Sequence, residues 1–294
     1  MAFPFSPPEV GATLVGRSVR LSLQRPLIMG ILNVTPDSFS DGGAWTTLDA
    51  VRRRAEVMAN EGADLIDIGG ESTRPGAALV SLQEELDRVL PVVELLHKES
   101  SLPLSIDTNK SAVASEALSL GADFVNDISG LNFDAAMATT VAAAGAGLFV
   151  MHTSGRPEEM QSKIVYDDLV AEVCASLQAS LHQGLAAGIG PGQLAVDPGV
   201  GFGKSVEGNL ELLRRLDEIA VLGYPVLLGT SRKSVIGAVL EQPQPVQRLH
   251  GSLTTVALGV ASGARLFRVH DVAPSREVAD MAWAVVNGDR HGRL

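Results

Sequence analysis

The chain has 294 residues, which is enough for one large domain or two small ones, and (β/α)8 barrels often use this length as a single domain. Its net charge of −11 excludes the broad basic surface that binding to nucleic acid requires. Aromatic residues make up only 4% of the chain, so the core must be built from Ala, Val, Leu and Ile.

The first ten residues lack the basic start and the apolar stretch of a secretory signal, and no apolar run reaches the ~20 residues of a membrane span. We therefore expect a cytoplasmic protein with no membrane partner. The first predicted element is a β-hairpin over residues 12–24, with its turn near Gly16.

After the hairpin, a short apolar run that ends in polar residues is followed by an amphipathic stretch rich in Ala and Leu, and this unit repeats along the chain. The runs are almost continuously hydrophobic, as in parallel strands that are buried on both faces. They lie at residues 27–32, 64–68, 104–106, 123–125, 147–150, 194–196, 225–228 and 265–269.

The segments between the runs have helical patterns, for example at 48–60, 82–99, 111–120 and 169–187. Glycines fall just past several helix ends, where a left-handed residue commonly stops a helix: Gly121, Gly145, Gly188 and Gly223. Eight alternating strands and helices predict an α/β fold, a (β/α)8 TIM barrel with an N-terminal hairpin. Since no linker-like segment interrupts the pattern, we predict that residues 1–294 form a single domain with its barrel at about 26–290, although the length also permits two domains.

Polar residues follow every predicted strand. For any one strand, a polar end could simply cap the strand or form a turn, but eight such ends favour a site. Because barrel active sites are built at the carboxyl ends of the strands, we expect these residues to converge on one mouth of the barrel. They are Asn33, the segment 67–74, Asp107, Thr108, Asn126, Asp127, Met151, His152, Asp197, Pro198, Ser231, Arg232, Lys233, Arg268, His270 and Asp271.

Two long loops carry distinctive motifs. The segment 33–43 (NVTPDSFSDGG) is long for a loop after a strand, which is typical of lids and binding loops. The segment 67–76 (DIGGESTRPG) combines a glycine pair, which permits close backbone approach, with the planar guanidinium of Arg74. An ordinary surface loop is the alternative for each.

The segment 197–205 (DPGVGFGKS) resembles a phosphate-binding P-loop, but that motif needs a glycine where this chain has Pro198. We therefore reject an ATP or GTP site and expect a flat heterocycle close to the glycine backbone. Arg232 and Lys233 follow strand seven, and Arg268 and His270 end strand eight with a spacing that points both side chains to one side. In an acidic chain these four groups indicate a phosphate site, which barrels usually place at this corner.

Other residues carry less information. The single Cys174 cannot form an internal disulfide, and its helical surroundings favour a small buried hydrophobe over a nucleophile. His152 is as well explained by a structural role as by a chemical one, and His97, His182, His250 and His291 receive no role. No sequence pattern typical of a tightly held zinc ion is present.

Taken together, the segments 33–43 and 67–76 resemble the paired signature of dihydropteroate synthases, and the segments 197–204, 231–233 and 268–271 fit that family in order and spacing. The resemblance runs from about residue 26 to 285 and is weakest over 151–161. It implies a transferase of folate biosynthesis that condenses 6-hydroxymethyl-7,8-dihydropterin pyrophosphate with p-aminobenzoate, releases pyrophosphate and is blocked by sulfonamides. It also implies Mg2+ bound through Asn33, and a homodimer.

The resemblance further implies a role for each site residue. The pterin would be bound by Asp107, Asn126, Asp197, Lys233, Arg268 and Met151. p-Aminobenzoate would be bound by Thr73, Arg74, Pro75, Phe202 and Ser231. Pyrophosphate would be held by Asn33, Arg268 and His270. Catalysis would involve Lys233, Arg268, His270, Asp37 and Asp41.

Two alternatives share the pterin site. A pterin-binding methyltransferase barrel would not need the 33–43 loop or the basic corner, and both are present. A non-catalytic pterin-binding homologue should have lost an equivalent of the first loop, Lys233 or His270, and none is lost.

Overall fold

The computed structural model of the protein describes residues 13–34, 44–73, 76–77, 79–162 and 164–288. An antiparallel pair, β1 and β2, precedes eight parallel strands in the order β8-β7-β6-β5-β4-β3-β10-β9. The strands are β1 Thr13–Val15, β2 Arg20–Ser22, β3 Leu27–Asn33, β4 Leu65–Gly69, β5 Leu104–Asp107, β6 Phe124–Asp127, β7 Gly147–Met151, β8 Leu194–Asp197, β9 Leu227–Leu228 and β10 Leu266–Val269.

The two edge strands of this order meet and close the barrel. A parallel bridge joins Val196 of β8 to Val226, which immediately precedes β9. The amide of Val196 also donates to the carbonyl of Pro225 over 2.9 Å. The predicted (β/α)8 barrel with its N-terminal hairpin is therefore confirmed.

Helices cover the outside of the barrel. Several begin at polar caps that accept a backbone amide, as Ser81 does for α2 and Asp168 for α5. Gly145 ends α4 with a φ of 66°, as the sequence predicts. The helices are α1 Ala44–Asn60, α2 Leu82–Glu99, α3 Ser111–Ser119, α4 Met137–Ala144, α5 Leu169–Ala186, α6 Val206–Arg214, α7 Leu216–Ala220, α8 Ser234–Leu240, α9 Leu249–Ala261 and α10 Val272–Asn287. In the described part of the chain, no helix is long and apolar enough to span a membrane.

Two apolar clusters divide the core. The larger one packs the outward faces of the strands against the helices. The smaller one fills the amino-terminal end of the barrel with inward side chains such as Met29, Leu65 and Phe124, and Leu14 of the hairpin joins it. The hairpin therefore closes this end of the barrel, and the opposite end is left for chemistry.

Candidate active site

The period-two alternation of the strands carries polar residues into the barrel above the apolar plug. Leu65 and Phe124 belong to the inward cluster, and two residues further along each strand lie Asp67 and Asn126. Asp107, Asn126 and Asp197 were predicted to follow their strands, but each lies within its strand. The site is consequently built on the sheet itself, which is a more rigid support than a loop.

Arg268 on β10 forms the centre of this polar layer. Its Nε donates to Asp67 Oδ2 and its Nη2 to Asp107 Oδ2, each over 2.6 Å. Asn126 Nδ2 donates to the same oxygen of Asp67 over 3.0 Å. Arg268 thus bridges two carboxylates inside the barrel, a contact that the expected roles in pterin and pyrophosphate binding do not include.

Asp197 and Arg268 lie close together beside Gly229. A Cβ atom on Gly229 would be 3.7 Å from Asp197 Oδ2 and 3.8 Å from Arg268 Cβ. Burial raises the pKa of Asp197, although Lys233 and Arg268 act in the opposite direction. Burial likewise raises the pKa of Asp107 to about 7, against the opposing effect of Arg268.

Lys233 lies beside the glycine-rich loop that follows β8. Its Nζ donates to the carbonyl of Val200 and lies 4.3 Å from the centre of the Phe202 ring. Burial lowers its pKa to about 8, while Asp197 favours the cation. Phe202 is buried with Met151, Ile128 and Met160 in a small apolar cluster. This part of the site therefore combines an apolar wall with the Lys233 cation.

The residues of the predicted phosphate site have different partners in the structure. Ser231 Oγ accepts from the amide of His270 over 3.1 Å and lies 3.0 Å from His270 Nδ1, so these two residues do come together. Arg232 instead donates from Nε and Nη2 to Asp271 over 2.9 and 2.5 Å. Arg232 therefore forms an ion pair with Asp271, and the expected phosphate site of four basic groups stays a prediction.

Asn33 ends β3 at the same mouth of the barrel. A Cβ atom on Gly69 would lie 3.6 Å from Asn33 Oδ1 and 3.5 Å from Asp107 Oδ2. Thr73 is half-buried in the loop after β4. The other predicted site residues, Asp37, Asp41, Arg74 and Pro75, lie outside the described residues.

The sequence places Asp67 among the residues of the barrel mouth, but it assigns no specific role to Asp67 or to Lys204. Asp67 interrupts the apolar run of β4 at an inward position, and that pattern was a usable signal of a buried charge with a function. Lys204 is 4% exposed and donates over 2.9 Å to the carbonyls of Gly199 and Phe202. No sequence pattern separates such a lysine from an exposed one.

The surroundings of Cys174 and His152 indicate the role of each residue. Cys174 was expected to be buried but is only half-buried, and desolvation raises its thiol pKa, which disfavours the nucleophilic thiolate. His152 is buried, and its Nδ1 lies 2.9 Å from Lys204 Nζ. Burial lowers the His152 pKa to about 3, with repulsion by Lys204 as a smaller cause.

Known proteins are similar to this chain in both sequence and architecture. Residues 29–270 match the family model described as pterin binding enzyme. A dihydropteroate synthase of Synechocystis sp. is 45% identical over 283 residues, which cover 95% of this chain and 96% of that protein. The structure of the Yersinia pestis dihydropteroate synthase with a sulfonamide drug matches with a TM-score of 0.88 and 45% identity, over 94% of this chain and 99% of that one.

A third match is the structure of Xanthomonas albilineans dihydropteroate synthase with 4-aminobenzoic acid. Its TM-score is 0.88 at 43% identity, and it covers 95% of this chain and 99% of that one. The chain therefore belongs to the dihydropteroate synthase family of pterin-binding enzymes.

Proposed function

We propose that the barrel mouth carries out the dihydropteroate synthase reaction, in which 6-hydroxymethyl-7,8-dihydropterin pyrophosphate and p-aminobenzoate give 7,8-dihydropteroate and pyrophosphate. The observation that carries the proposal is the polar layer inside the barrel, where Arg268 bridges Asp67 and Asp107 below the strand ends. A rigid layer of buried donors and acceptors suits a flat heterocycle with a polar edge.

The pterin would lie on this layer. Its 2-amino group and ring N–H groups need acceptors, which Asp107 and Asp197 offer, and its 4-oxo group needs a donor such as Lys233. The buried Oδ1 atom of Asp107 has no hydrogen-bond partner among the described residues, which supports a contact with a ligand there. Asn126 and Met151 would complete the pocket. Arg268 would contact the pterin while it remains tied to the two carboxylates.

The pyrophosphate would leave from the part of the mouth formed by Asn33, Arg268 and His270. Reaction begins when the C–O bond breaks and its electron pair departs with the pyrophosphate oxygen, which leaves a cation delocalised into the pterin. The amine nitrogen of p-aminobenzoate then forms the C–N bond and loses a proton. Arg268 and His270 would stabilise the negative charge on the departing pyrophosphate. Asp37 and Asp41 of the first loop would also take part in catalysis.

Mg2+ fits this site as an ion carried mainly by the substrate. Mg2+ prefers oxygen ligands, keeps several waters and often binds substrate phosphates with only one or two protein ligands. Asn33 Oδ1, which lies at the barrel mouth, would serve as such a ligand. Within the described part of the chain, no cluster of three His, Cys, Asp or Glu side chains offers an alternative cage. When bound, the ion would neutralise charge on the leaving pyrophosphate.

p-Aminobenzoate would bind beside the apolar wall of Phe202, with Ser231 and Thr73 nearby and with Arg74 and Pro75 from the second loop. The 4-aminobenzoic acid and sulfonamide complexes of the Xanthomonas and Yersinia enzymes support a pocket for arylamines in this family. Lys233 contributes a cation over the Phe202 ring. We therefore expect arylsulfonamides to compete with p-aminobenzoate, because they present the same aniline group and an acidic end.

The decisive experiment mixes the purified protein with both substrates and Mg2+ and measures pyrophosphate release together with dihydropteroate. Product that depends on both substrates supports the proposal. A methyltransferase would instead consume methyltetrahydrofolate with a corrinoid acceptor, and a non-catalytic homologue would bind the pterin without releasing pyrophosphate. Sulfonamide inhibition that p-aminobenzoate does not relieve would contradict the assigned pocket.

We also propose that the chain works as a homodimer through α9 and α10, which pack against each other. Leu258 on α9 is 58% exposed, and Met281 and Val285 lie four residues apart on α10 with 65% and 57% exposure. An exposed apolar helical face of this kind suits an isologous contact. Light scattering should find Met281→Lys monomeric and the control Val165→Lys dimeric, since Val165 is exposed outside these helices. A monomeric wild type would contradict the proposal.

A further inference from the structure

Lys204 is a buried cation that the reaction does not use directly. It ends the glycine-rich loop of residues 198–204 and is only 4% exposed. Its ammonium group donates to the carbonyls of Gly199 and Phe202 and meets His152 Nδ1, each at 2.9 Å. These contacts use all three N–H bonds, as a buried charge requires. Among the described residues, no carboxylate forms an ion pair with it.

The contacts of Lys204 join two loops that pack backbone to backbone. The amide of His152, just after β7, donates to the carbonyl of Asp197 over 3.1 Å. A Cβ atom on Gly199 would lie 1.9 Å from the His152 carbonyl oxygen, so only glycine fits there. The Tyr166 hydroxyl donates to the carbonyl of Gly203 over 2.9 Å. Lys204 therefore lies at the centre of the junction between the loops after β7 and β8.

The loop that Lys204 shapes carries contacts to the site. Phe202, whose carbonyl accepts from Lys204, places its ring 4.3 Å from Lys233 Nζ. The carbonyl of Val200 accepts from the same Lys233 ammonium. The positions of the Phe202 ring and of the Lys233 ammonium group therefore depend on a loop whose backbone conformation is held by Lys204.

We propose that Lys204 is a positioning residue for p-aminobenzoate binding, which holds Phe202 and Val200 so that Lys233 and the aromatic wall form one pocket. This inference rests on the proposed function. The pterin groups Asp107, Asn126 and Asp197 lie on strands, and of the three Asp197 alone is known to touch the loop, where it accepts from the amide of Gly199 over 2.7 Å. Because most of the pterin groups are fixed by strands, and only Lys233 and Asp197 contact the loop, loss of Lys204 should weaken p-aminobenzoate binding much more than pterin binding.

The charge states support this arrangement. Because the His152 pKa is lowered to about 3, its ring is neutral near pH 7 and can accept a hydrogen bond. Burial lowers the pKa of Lys204 to about 7, with repulsion from Lys233 adding to it and attraction to Asp197 opposing it. The three short contacts to acceptors favour the protonated form of Lys204 in the structure.

The test is Lys204→Met, which keeps the stem and removes the three donors. The KM for p-aminobenzoate should rise about tenfold or more, as loss of charged hydrogen bonds implies, while the Kd for 6-hydroxymethyl-7,8-dihydropterin changes less than about threefold. Val141→Ala is the control, because it destabilises the core at α4 without touching either loop, and its KM should stay at the wild-type value. Equal changes for both substrates, or no change in KM, would overturn the proposal.

A second measurement does not depend on activity. Hydrogen exchange of the substrate-free protein should be faster in the 198–204 segment of Lys204→Met than in wild type, with the strands unchanged. Unchanged exchange there would refute the positioning role even if the wild type is active, and an inactive wild type with the expected exchange would instead refute the proposed reaction. Should Lys204→Met fail to fold, Tyr166→Phe removes the hydroxyl that bonds to Gly203 and Ser154 at the same junction of the two loops, and it should raise the same KM about threefold. An unchanged KM in that variant would also refute the role.

Discussion

At the scale of single residues, the site is a balance of buried charges. Arg268 is tied to Asp67 and Asp107, and Lys233 lies near Asp197. Burial favours the neutral forms of Asp107 and Asp197, whereas the nearby cations favour their carboxylates. The balance is closest at Asp107, whose pKa of about 7 lies within the physiological range. The affinity for a ligand that donates hydrogen bonds to the Asp107 carboxylate should therefore depend on pH.

The first prediction is that pterin affinity depends on pH through Asp107. Below pH 7 the carboxyl gains a proton and stops accepting from the pterin N–H groups, so the affinity for 6-hydroxymethyl-7,8-dihydropterin should fall toward tenfold per pH unit between pH 7 and 6. Calorimetric titration from pH 6 to 7.5 measures this and avoids the loss of charge at Lys233, whose pKa is about 8. Asp107→Asn should bind more weakly at pH 7.5 and with little pH dependence. A wild-type affinity that is flat across this range would contradict the assignment.

The second prediction concerns Asp67, whose carboxylate is fully buried against Arg268. Asp67→Asn leaves the guanidinium with a single carboxylate partner, so the free energy of unfolding should fall by about 3 kcal/mol, as for other broken buried pairs. Denaturant unfolding measures the loss. The same change at Asp280, which is half exposed beside Arg276, should cost less than about 1 kcal/mol. Similar losses at the two positions would show that Asp67 is not a structural support of the site.

At the scale of elements, the sequence predicts the eight strands and the hairpin because buried parallel strands read as continuous apolar runs. The predicted strand starts at Asp64, Asp123 and Arg265 are each one residue early. Two of these side chains turn to other partners, since Asp64 accepts from the amide of Ile28 and Asp123 from Ser18. The backbone amides of all three residues nevertheless donate to neighbouring strands or the residue before one, at the carbonyls of Ile28, Leu104 and Val226, so strand pairing begins close to the predicted starts.

The sequence predicts the partners of the site residues less well. Alternation correctly carries Arg268 into the barrel, yet its two carboxylate partners come from β4 and β5, 201 and 161 residues away in the chain. His270 lies beyond the end of β10, so its position depends on Ser231 and not on strand geometry. Residue type and order indicate which groups gather at the mouth, whereas the partner of each group depends on tertiary contacts.

The third prediction tests the hairpin as a plug for the amino-terminal end of the barrel. A Cβ atom on Gly16 would lie 2.7 Å from the buried Phe124 ring, so Gly16→Ala should lower the free energy of unfolding by about 1–3 kcal/mol through overpacking. Gly192→Ala is the matched control, because its Cβ would meet only Val15 at 3.6 Å. Denaturant unfolding and steady-state kinetics measure the two effects. The KM values should not change in either variant, and a raised KM in Gly16→Ala would show that the plug also shapes the site.

At the scale of the whole molecule, the barrel has an apolar end that stabilises it and a polar end that carries the chemistry. The polar end also affects stability, because its buried ionisable groups make the free energy of unfolding depend on pH. Asp107 and His152 have opposite effects. The raised pKa of Asp107 means that the folded state holds a proton that the unfolded chain loses between pH 4 and 7, so its contribution to stability grows as pH falls.

His152 supplies the fourth prediction. Its pKa is about 3 in the folded protein and near 6.5 in an unfolded chain, so only the unfolded state gains this proton as the pH falls from 6.5 toward 3. His152 should therefore lower the free energy of unfolding by up to about 1.4 kcal/mol per pH unit in this range. His152→Gln keeps an acceptor for Lys204 but cannot be protonated, so denaturant unfolding from pH 7 to 4.5 should give it a shallower acid loss than wild type. Parallel curves for the two proteins would mean that the His152 ring is already protonated, or exposed to water, in the folded state.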